Sequence, residues 1–218
     1  VNGTGALCSC IFEVVDDKKL KGVAVEGLFP PQRPMSEKTI DHARTRSQLL
    51  EQILRSEEID MGEGIIGAVA QTREGVLIPS AEKDPRIVQH KDPSLIVRSM
   101  IVAPLLFDNE LLGVLAVANP DDDRSFDRMD QNLVVSMAEQ AALALNNLDN
   151  LNDRIEKQKL DLDLTLAHDV QRLLLPTQFP KTESLEIHAL YTPAQKVSGD
   201  FYDIIPLEEG CTGVVIAD

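Results

Sequence analysis

Residues 99–118 run Ser99-Met100-Ile101-Val102-Ala103-Pro104-Leu105-Leu106-Phe107-Asp108-Asn109-Glu110-Leu111-Leu112-Gly113-Val114-Leu115-Ala116-Val117-Ala118. Two apolar runs flank the polar pair Asp108-Asn109, residue types that a tight hairpin turn favours. This predicts a strand over residues 99–107, a turn, and an antiparallel strand over residues 111–118. Working back toward the start, residues 6–15 read as a strand. Asp16-Asp17-Lys18-Lys19 is its turn and residues 20–27 its hairpin partner. Pro30, Pro31 and Pro34 end that unit, and residues 36–55 fit a helix with Ser36 as N-cap and Glu37 and Asp41 in its early turns. Gly62, Gly64 and Gly67 punctuate the segment leading to Ala68-Val69-Ala70, and Val76-Leu77-Ile78 makes a short strand. Working forward from the hairpin, Phe126 and Asp130 open a long helix whose apolar face includes Leu133, Met137, Ala141 and Leu145. The pattern is an antiparallel sheet flanked by helices, an α+β fold.

Composition sets the outer limits. The chain has 218 residues, of which 43% are apolar, enough to hide roughly 70% of the unfolded surface in a core. Wholesale disorder is excluded on that composition. No apolar run approaches the roughly 20 residues of a membrane span, and no basic start with a hydrophobic stretch marks a signal peptide. The first residue is Val1, already leading into a strand, so the chain reads as a piece of something longer. A net charge of −15 and a pI near 4.6 repel phosphate backbones and anionic lipid, so neither nucleic acid nor a membrane is an expected partner. Cys8, Cys10 and Cys211 are an odd set that suits a reducing, cytoplasmic location. Cys8 and Cys10 share one face of a strand and are expected in the core, since no zinc-site partners stand at the right spacing.

Gly64-Ile65-Ile66-Gly67-Ala68-Val69-Ala70-Gln71-Thr72 is followed by Asp84-Pro85-Arg86, Ser99, Ala103-Pro104-Leu105, Gly113-Val114-Leu115, Asn119, Phe126 and Asp130. In that order, and with the closing helix, these residues resemble a GAF domain. Two features depart from the family. Ser80 stands where it usually places an aspartate, and the helix that normally precedes the first strand is absent. The resemblance implies a PAS-like antiparallel sheet and a role as a small-molecule sensor and dimerisation module. Its pocket would lie between the sheet and the loops and helices over one face. No ligand is indicated. Asn119, Phe126 and Asp130 echo the cyclic-nucleotide-binding members, but Pro120 and Gln131 replace that signature's lysine and glutamate. Structural roles are expected instead, with Phe126 buried and Asp130 near a helix N-terminus. His42 on a polar helix face and His90 in a charged loop argue against haem ligation.

Residues 147–175 contain neither Gly nor Pro. Leu148, Leu151, Ile155 and Leu162 follow a spacing close to a heptad seam, interrupted by Gln158. A second line, Leu160, Leu164, Ala167 and Leu174, is offset from it, as in a stutter or a change of partner. The favoured reading is a parallel homodimeric coil; the alternative is a single helix docked on a flanking domain. His168-Asp169 has the look of a sensor-kinase phosphoacceptor. Pro176 and Pro180 end the helix where a kinase needs a long second one, so His168 is expected as a plain exposed histidine.

After Pro176, residues 185–191 read as a strand and residues 212–217 as another, ending in Asp218. Gly199 permits a tight backbone before Asp200, and an acid closing an apolar run is costly unless it meets a cation or leaves the core. Carboxylates at strand ends suit hard divalent ions such as Mg²⁺ or Mn²⁺. The helix ending Leu174-Leu175-Pro176, then Pro193-Ala194, Ser198-Gly199-Asp200-Phe201-Tyr202-Asp203 and Val215-Ile216-Ala217-Asp218 resemble the opening of the SpoIIE/RsbU-like branch of the PPM family. Its members are metal-dependent protein serine/threonine phosphatases. The resemblance implies that Asp200 and Asp218 are catalytic ligands of a two-metal Mn²⁺ or Mg²⁺ centre, with Asp203 in a supporting or structural role. It also implies a substrate, the phosphoserine or phosphothreonine of an anti-sigma-factor antagonist.

The expected organisation is a GAF sensor over residues 1–148, a coiled-coil linker helix over 149–173, and the start of a PPM-type α/β sandwich over 174–218. That last portion falls short of the roughly 50 residues a domain needs. By itself it is expected to bind metal weakly and hydrolyse nothing, while its parent is a phosphatase. The competing expectation is a non-catalytic dimeric sensor whose tail docks on another protein.

Overall fold

A computed structural model describes residues 3–16, 18–34, 45–122, 124–180, 186–193, 196–208 and 211–218. It divides into two compact units, Val1–Leu148 and Asp149–Asp218. In the first unit the order is β1 (Ala6–Asp16), β2 (Lys19–Glu26), α1 (Arg46–Ser56), β3 (Glu58–Asp60), α2 (Gly64–Thr72), β4 (Val76–Ile78), β5 (Met100–Phe107) and β6 (Glu110–Pro120). Helix α3 (Arg128–Leu174) begins in this unit and continues into the second. The six strands form one antiparallel sheet in the order β3-β2-β1-β6-β5-β4. The central pairing joins the first and last strands, with Cys8 opposite Ala118 and Phe12 opposite Val114. The β5–β6 hairpin turns at Asp108 and Asn109, both at positive φ (45° and 68°). Asn and Asp accept that conformation at low cost, and it matches the strands' twist.

Side chains alternate across the sheet and build two cores. Cys8, Cys10, Phe12, Met100, Val102, Val114 and Ala116 pack with Leu54 of α1 and with Ile65, Ile66 and Val69 of α2 on one face. Ile101, Ala103, Leu105, Leu115 and Val117 pack with Phe126, Val134, Ala138 and Ala142 on the other. Helix α2 lies so close to the sheet edge that a Cβ on Gly67 would stand 2.2 Å from the Asp60 carbonyl oxygen, so only glycine fits. The long helix is opened by a reciprocal cap. Asp127 accepts from the Asp130 N–H at 3.0 Å, and Asp130 accepts from the Asp127 N–H at 2.9 Å. With no Gly or Pro from 128 to 174 it runs unbroken for 47 residues and stops before Pro176.

Three expectations are corrected. Helix α1 begins at Arg46, where extended Thr45 caps it through its side chain to the Gln48 N–H at 3.4 Å. It therefore does not run unbroken from Ser36; that cap, with Glu37 and Asp41, lies outside the described residues. The buried stripe of α3 is Val134, Ala138 and Ala142, while Leu133 is exposed. Met137, Ala141 and Leu145 of the expected face are partly buried against the same core, so of that face Leu133 is the residue turned outward. Residues 186–191 form no strand, and Leu190 is 94% exposed. An alternating pattern without a pairing partner gains no ladder hydrogen bonds. In the second unit β7 (Phe201–Pro206) pairs instead with β8 (Thr212–Ala217) as an antiparallel hairpin.

Candidate functional site

In the first unit, the residues singled out from the sequence hold the fold. The Asn119 side chain, at a backbone φ of 56°, accepts from the Arg98 N–H at 2.7 Å and donates to the Ile96 carbonyl at 2.8 Å. Ser99, fully buried, donates from Oγ to the Ile78 carbonyl at 3.1 Å and accepts from the Phe126 N–H at 3.0 Å. Asp130 is ion-paired with Arg124, whose guanidinium holds the carboxyl below its ordinary range. His90 sets Nε2 against the Pro31 carbonyl at 2.9 Å; His42 lies outside the described residues. Burial pushes the Cys8 thiol up to about 12, and Cys10 is raised for the same reason. Both are inert core thiols, in keeping with their place on β1. An open cavity of about 510 Å³ lies on the α3 side of the sheet, lined by Ser9, Ile11, Glu26, Val117, Met137 and Ala141 among others.

The second unit carries the acidic residues. The β7–β8 register sets Phe201 opposite Ala217. Asp200 immediately precedes the one and Asp218 immediately follows the other, so both carboxylates stand at the same end of the hairpin. Gly199 lies beside Asp218: an added Cβ there would stand 3.7 Å from Asp218 Oδ1, an ordinary contact. Ser198 Oγ donates to Asp200 Oδ2 at 3.0 Å and accepts from the Asp200 N–H at 3.2 Å. The Tyr191 hydroxyl donates to the Asp200 carbonyl at 3.2 Å, and the Tyr191 and Tyr202 rings stand 6.3 Å apart. Asp203 accepts from the Ile204 N–H at 2.8 Å, a local structural contact.

Sequence reasoning missed how the helix meets this loop. His168, expected as an exposed histidine, is half-buried, with Nδ1 donating to the Lys196 carbonyl at 2.6 Å. Gln171 bonds the Ser198 backbone, and Lys196 is ion-paired with Asp161. Of the two apolar lines proposed for the linker, Leu148, Leu151, Ile155 and Leu162 are all exposed on one side. In the second line Leu164 alone is partly covered, while Leu160, Ala167 and Leu174 are exposed.

The donors fit a hard divalent cation in kind. Two carboxylates at one hairpin end match the one or two by which Mg²⁺ is commonly held alongside water. They do not make a two-metal centre: among the described residues no group of three or more His, Cys, Asp or Glu is placed to hold a metal. Also among the described residues, no helix is long and apolar enough to cross a membrane.

Comparison with known proteins gives three findings. A family model described as GAF domain matches residues 8–145. The solved GAF domain of a phosphoenolpyruvate-protein phosphotransferase from Coxiella burnetii superposes with a TM-score of 0.51 at 18% identity, covering 68% of this chain and 76% of that one. Among curated proteins, phosphoserine phosphatase RsbU of Bacillus subtilis is 36% identical over 62 residues, 28% of this chain and 18% of RsbU. Protein IcfG of Synechocystis is 37% identical over 57 residues, 26% of this chain and 9% of IcfG. The match thus spans less than a fifth of either relative.

Proposed function

The chain belongs to the GAF domain family, and on that premise we propose that it is the regulatory region and catalytic start of a signal-regulated, metal-dependent protein serine/threonine phosphatase. Residues 1–148 act as the sensor, 149–173 as a dimerising linker helix, and 174–218 as the opening of a PPM-type catalytic domain. The observation that carries the reading is the hairpin register that brings Asp200 and Asp218 to one end beside Gly199. The partial similarity to a phosphoserine phosphatase supports it.

In this reading Asp200 and Asp218 hold Mn²⁺ or Mg²⁺, with further ligands supplied by residues outside these 218. When bound, the metals activate water and clamp the phosphoryl oxygens. The chain's own contribution is to hold two carboxylates together: Ser198 anchors Asp200, and the hairpin register brings Asp218 to the same end. The bound cations also offset the repulsion between a dianionic phosphoserine and a chain of net charge −15. The substrate class is a phosphoserine or phosphothreonine protein of the anti-sigma-factor antagonist type, met in a reducing cytoplasm where the three thiols stay free. Two chains pair along the exposed seam of α3, and a small molecule in the sensor unit sets the activity.

The second reading, a non-catalytic dimeric sensor, is favoured for these residues alone by the two-carboxylate donor set. The two are separated by the mass of the polypeptide detected in its own cells with an antibody against residues 1–148. A species well above 24.0 kDa is expected of the phosphatase. A species at that mass favours the sensor.

A further inference from the structure

From residue 149 to the end of α3, Leu164, His168 and Gln171 are the residues not exposed to solvent. Their spacing of four and three places them on one stripe of the helix. The seam of Leu148, Leu151, Ile155 and Leu162, continued by heptads, passes through Thr165, Asp169 and Arg172. Each residue of the covered stripe stands one position before one of these, hence about 100° round the helix from the seam. A second helix on the seam therefore leaves this stripe free to hold the loop that carries Asp200.

The hold is specific. The Gln171 amide pairs both ways with one backbone position: Nε2 donates to the Ser198 carbonyl, and Oε1 accepts from the Ser198 N–H at 3.2 Å. One turn earlier His168 fixes the Lys196 carbonyl at 2.6 Å, and the Lys196 ammonium is paired with Asp161 on the same helix. Ser198 passes the restraint on through its two hydrogen bonds to Asp200. An unbroken series of hydrogen bonds thus runs from the linker helix to one carboxylate oxygen.

We propose that Gln171, backed by His168, is a positioning residue that sets the Asp200 carboxylate relative to the linker helix. A rotation or bend of the helix then reaches the metal ligand through Ser198. This rests on the reading of Asp200 and Asp218 as metal ligands. Partners of this kind, which orient a ligand without touching the ion, typically change metal affinity by about 10–100-fold when removed.

The test uses the whole chain and Mn²⁺ as probe. Backbone amide exchange at Ser198 and Mn²⁺-induced broadening of the Asp200 and Asp218 amide signals are followed in wild type, Gln171→Ala, Gln171→Glu and Asp200→Asn, with circular dichroism monitoring the helix. Gln171→Ala should keep its helix, lose Ser198 protection, and need about 10-fold more Mn²⁺ for half broadening. Gln171→Glu, which still accepts from the Ser198 N–H but cannot donate, should fall between. A Ser198 amide that stays protected in Gln171→Ala overturns the proposal. So does an unchanged Mn²⁺ titration after protection is lost, since Gln171 is then merely structural. A wild-type chain in which Mn²⁺ broadens neither signal, or broadens them equally in Asp200→Asn, refutes instead the metal reading beneath it.

Discussion

Replacing Ile155 and Leu162 together by aspartate tests whether α3 joins two copies. In the single chain Ile155 is 42% exposed and Leu162 60% exposed, on the side of the helix that the rest of its unit does not cover. Fully burying a leucine or isoleucine is worth about 1.5–3 kcal/mol, so covering the exposed part of each contributes about 1 kcal/mol. Two such residues from each of two helices give roughly 4 kcal/mol, close to a 10³-fold change in dissociation constant. A dimer with a Kd of about 1 μM would move to about 1 mM, before the mutual repulsion of four carboxylates is added. Sedimentation equilibrium reads this directly, and circular dichroism shows whether the helix survives, since Asp costs only tenths of a kcal/mol in propensity relative to leucine. A dimer of unchanged affinity in the double variant would show that the seam is not the interface, and that other surfaces hold the copies together.

Other consequences concern the GAF unit. Gly67→Ala should lower stability in urea by about 2 kcal/mol, because a methyl 2.2 Å from the Asp60 oxygen overpacks by more than the helix gains from alanine. Gly75→Ala, where the nearest atoms lie at 3.5 Å, is the control and should change stability by no more than about 0.5 kcal/mol; equal losses at the two sites would contradict the packing described. Arg124 lowers the pKa of Asp130 in the folded state, so the wild type's advantage over Asp130→Asn is present above the unfolded carboxylate value of about 3.9. That advantage should fade as pH drops through the lower folded-state value, and denaturation at pH 7 and pH 3 should show it; a difference that persists in acid would refute the pairing. With a thiol reagent near pH 8 the exposed Cys211 should react quickly. The buried Cys8, its pKa raised to about 12, and Cys10 should react only on unfolding. More than one fast thiol per chain would contradict the packing of β1.

The sheet was legible because its signals are local. Apolar runs around Asp108-Asn109 and around residues 16–19 each announce a hairpin, and β1, β2, β5 and β6 form where those signals lie. The start of α1 was less so, since Ser36 and Thr45 are both chemically good caps and propensity does not choose between them. Along α3 two adjacent stripes compete, and hydrophobicity favours Leu133 and Met137. The core takes Val134, Ala138 and Ala142 deepest and Met137, Ala141 and Leu145 in part, an order that only tertiary packing reveals. The alternation at residues 185–191 could not announce that its partner strand is absent among the described residues. Asp200 and Asp218 were picked out by a motif, while their placement at one hairpin end follows from the register of β7 against β8. Gln171 leaves no periodic trace at all, because a side-chain amide bonding a backbone 27 residues away follows no local pattern.

Phosphate release is the measurement that bears most directly on the proposed function. The polypeptide bearing this sequence would be isolated from its own cells and given a phosphoserine protein of the anti-sigma-factor antagonist type. Release of phosphate that requires Mn²⁺ or Mg²⁺ and is lost in Asp218→Asn is the predicted result. No release with either metal, or release that Asp218→Asn leaves untouched, would contradict the assignment of Asp200 and Asp218 as the metal-binding start of a phosphatase.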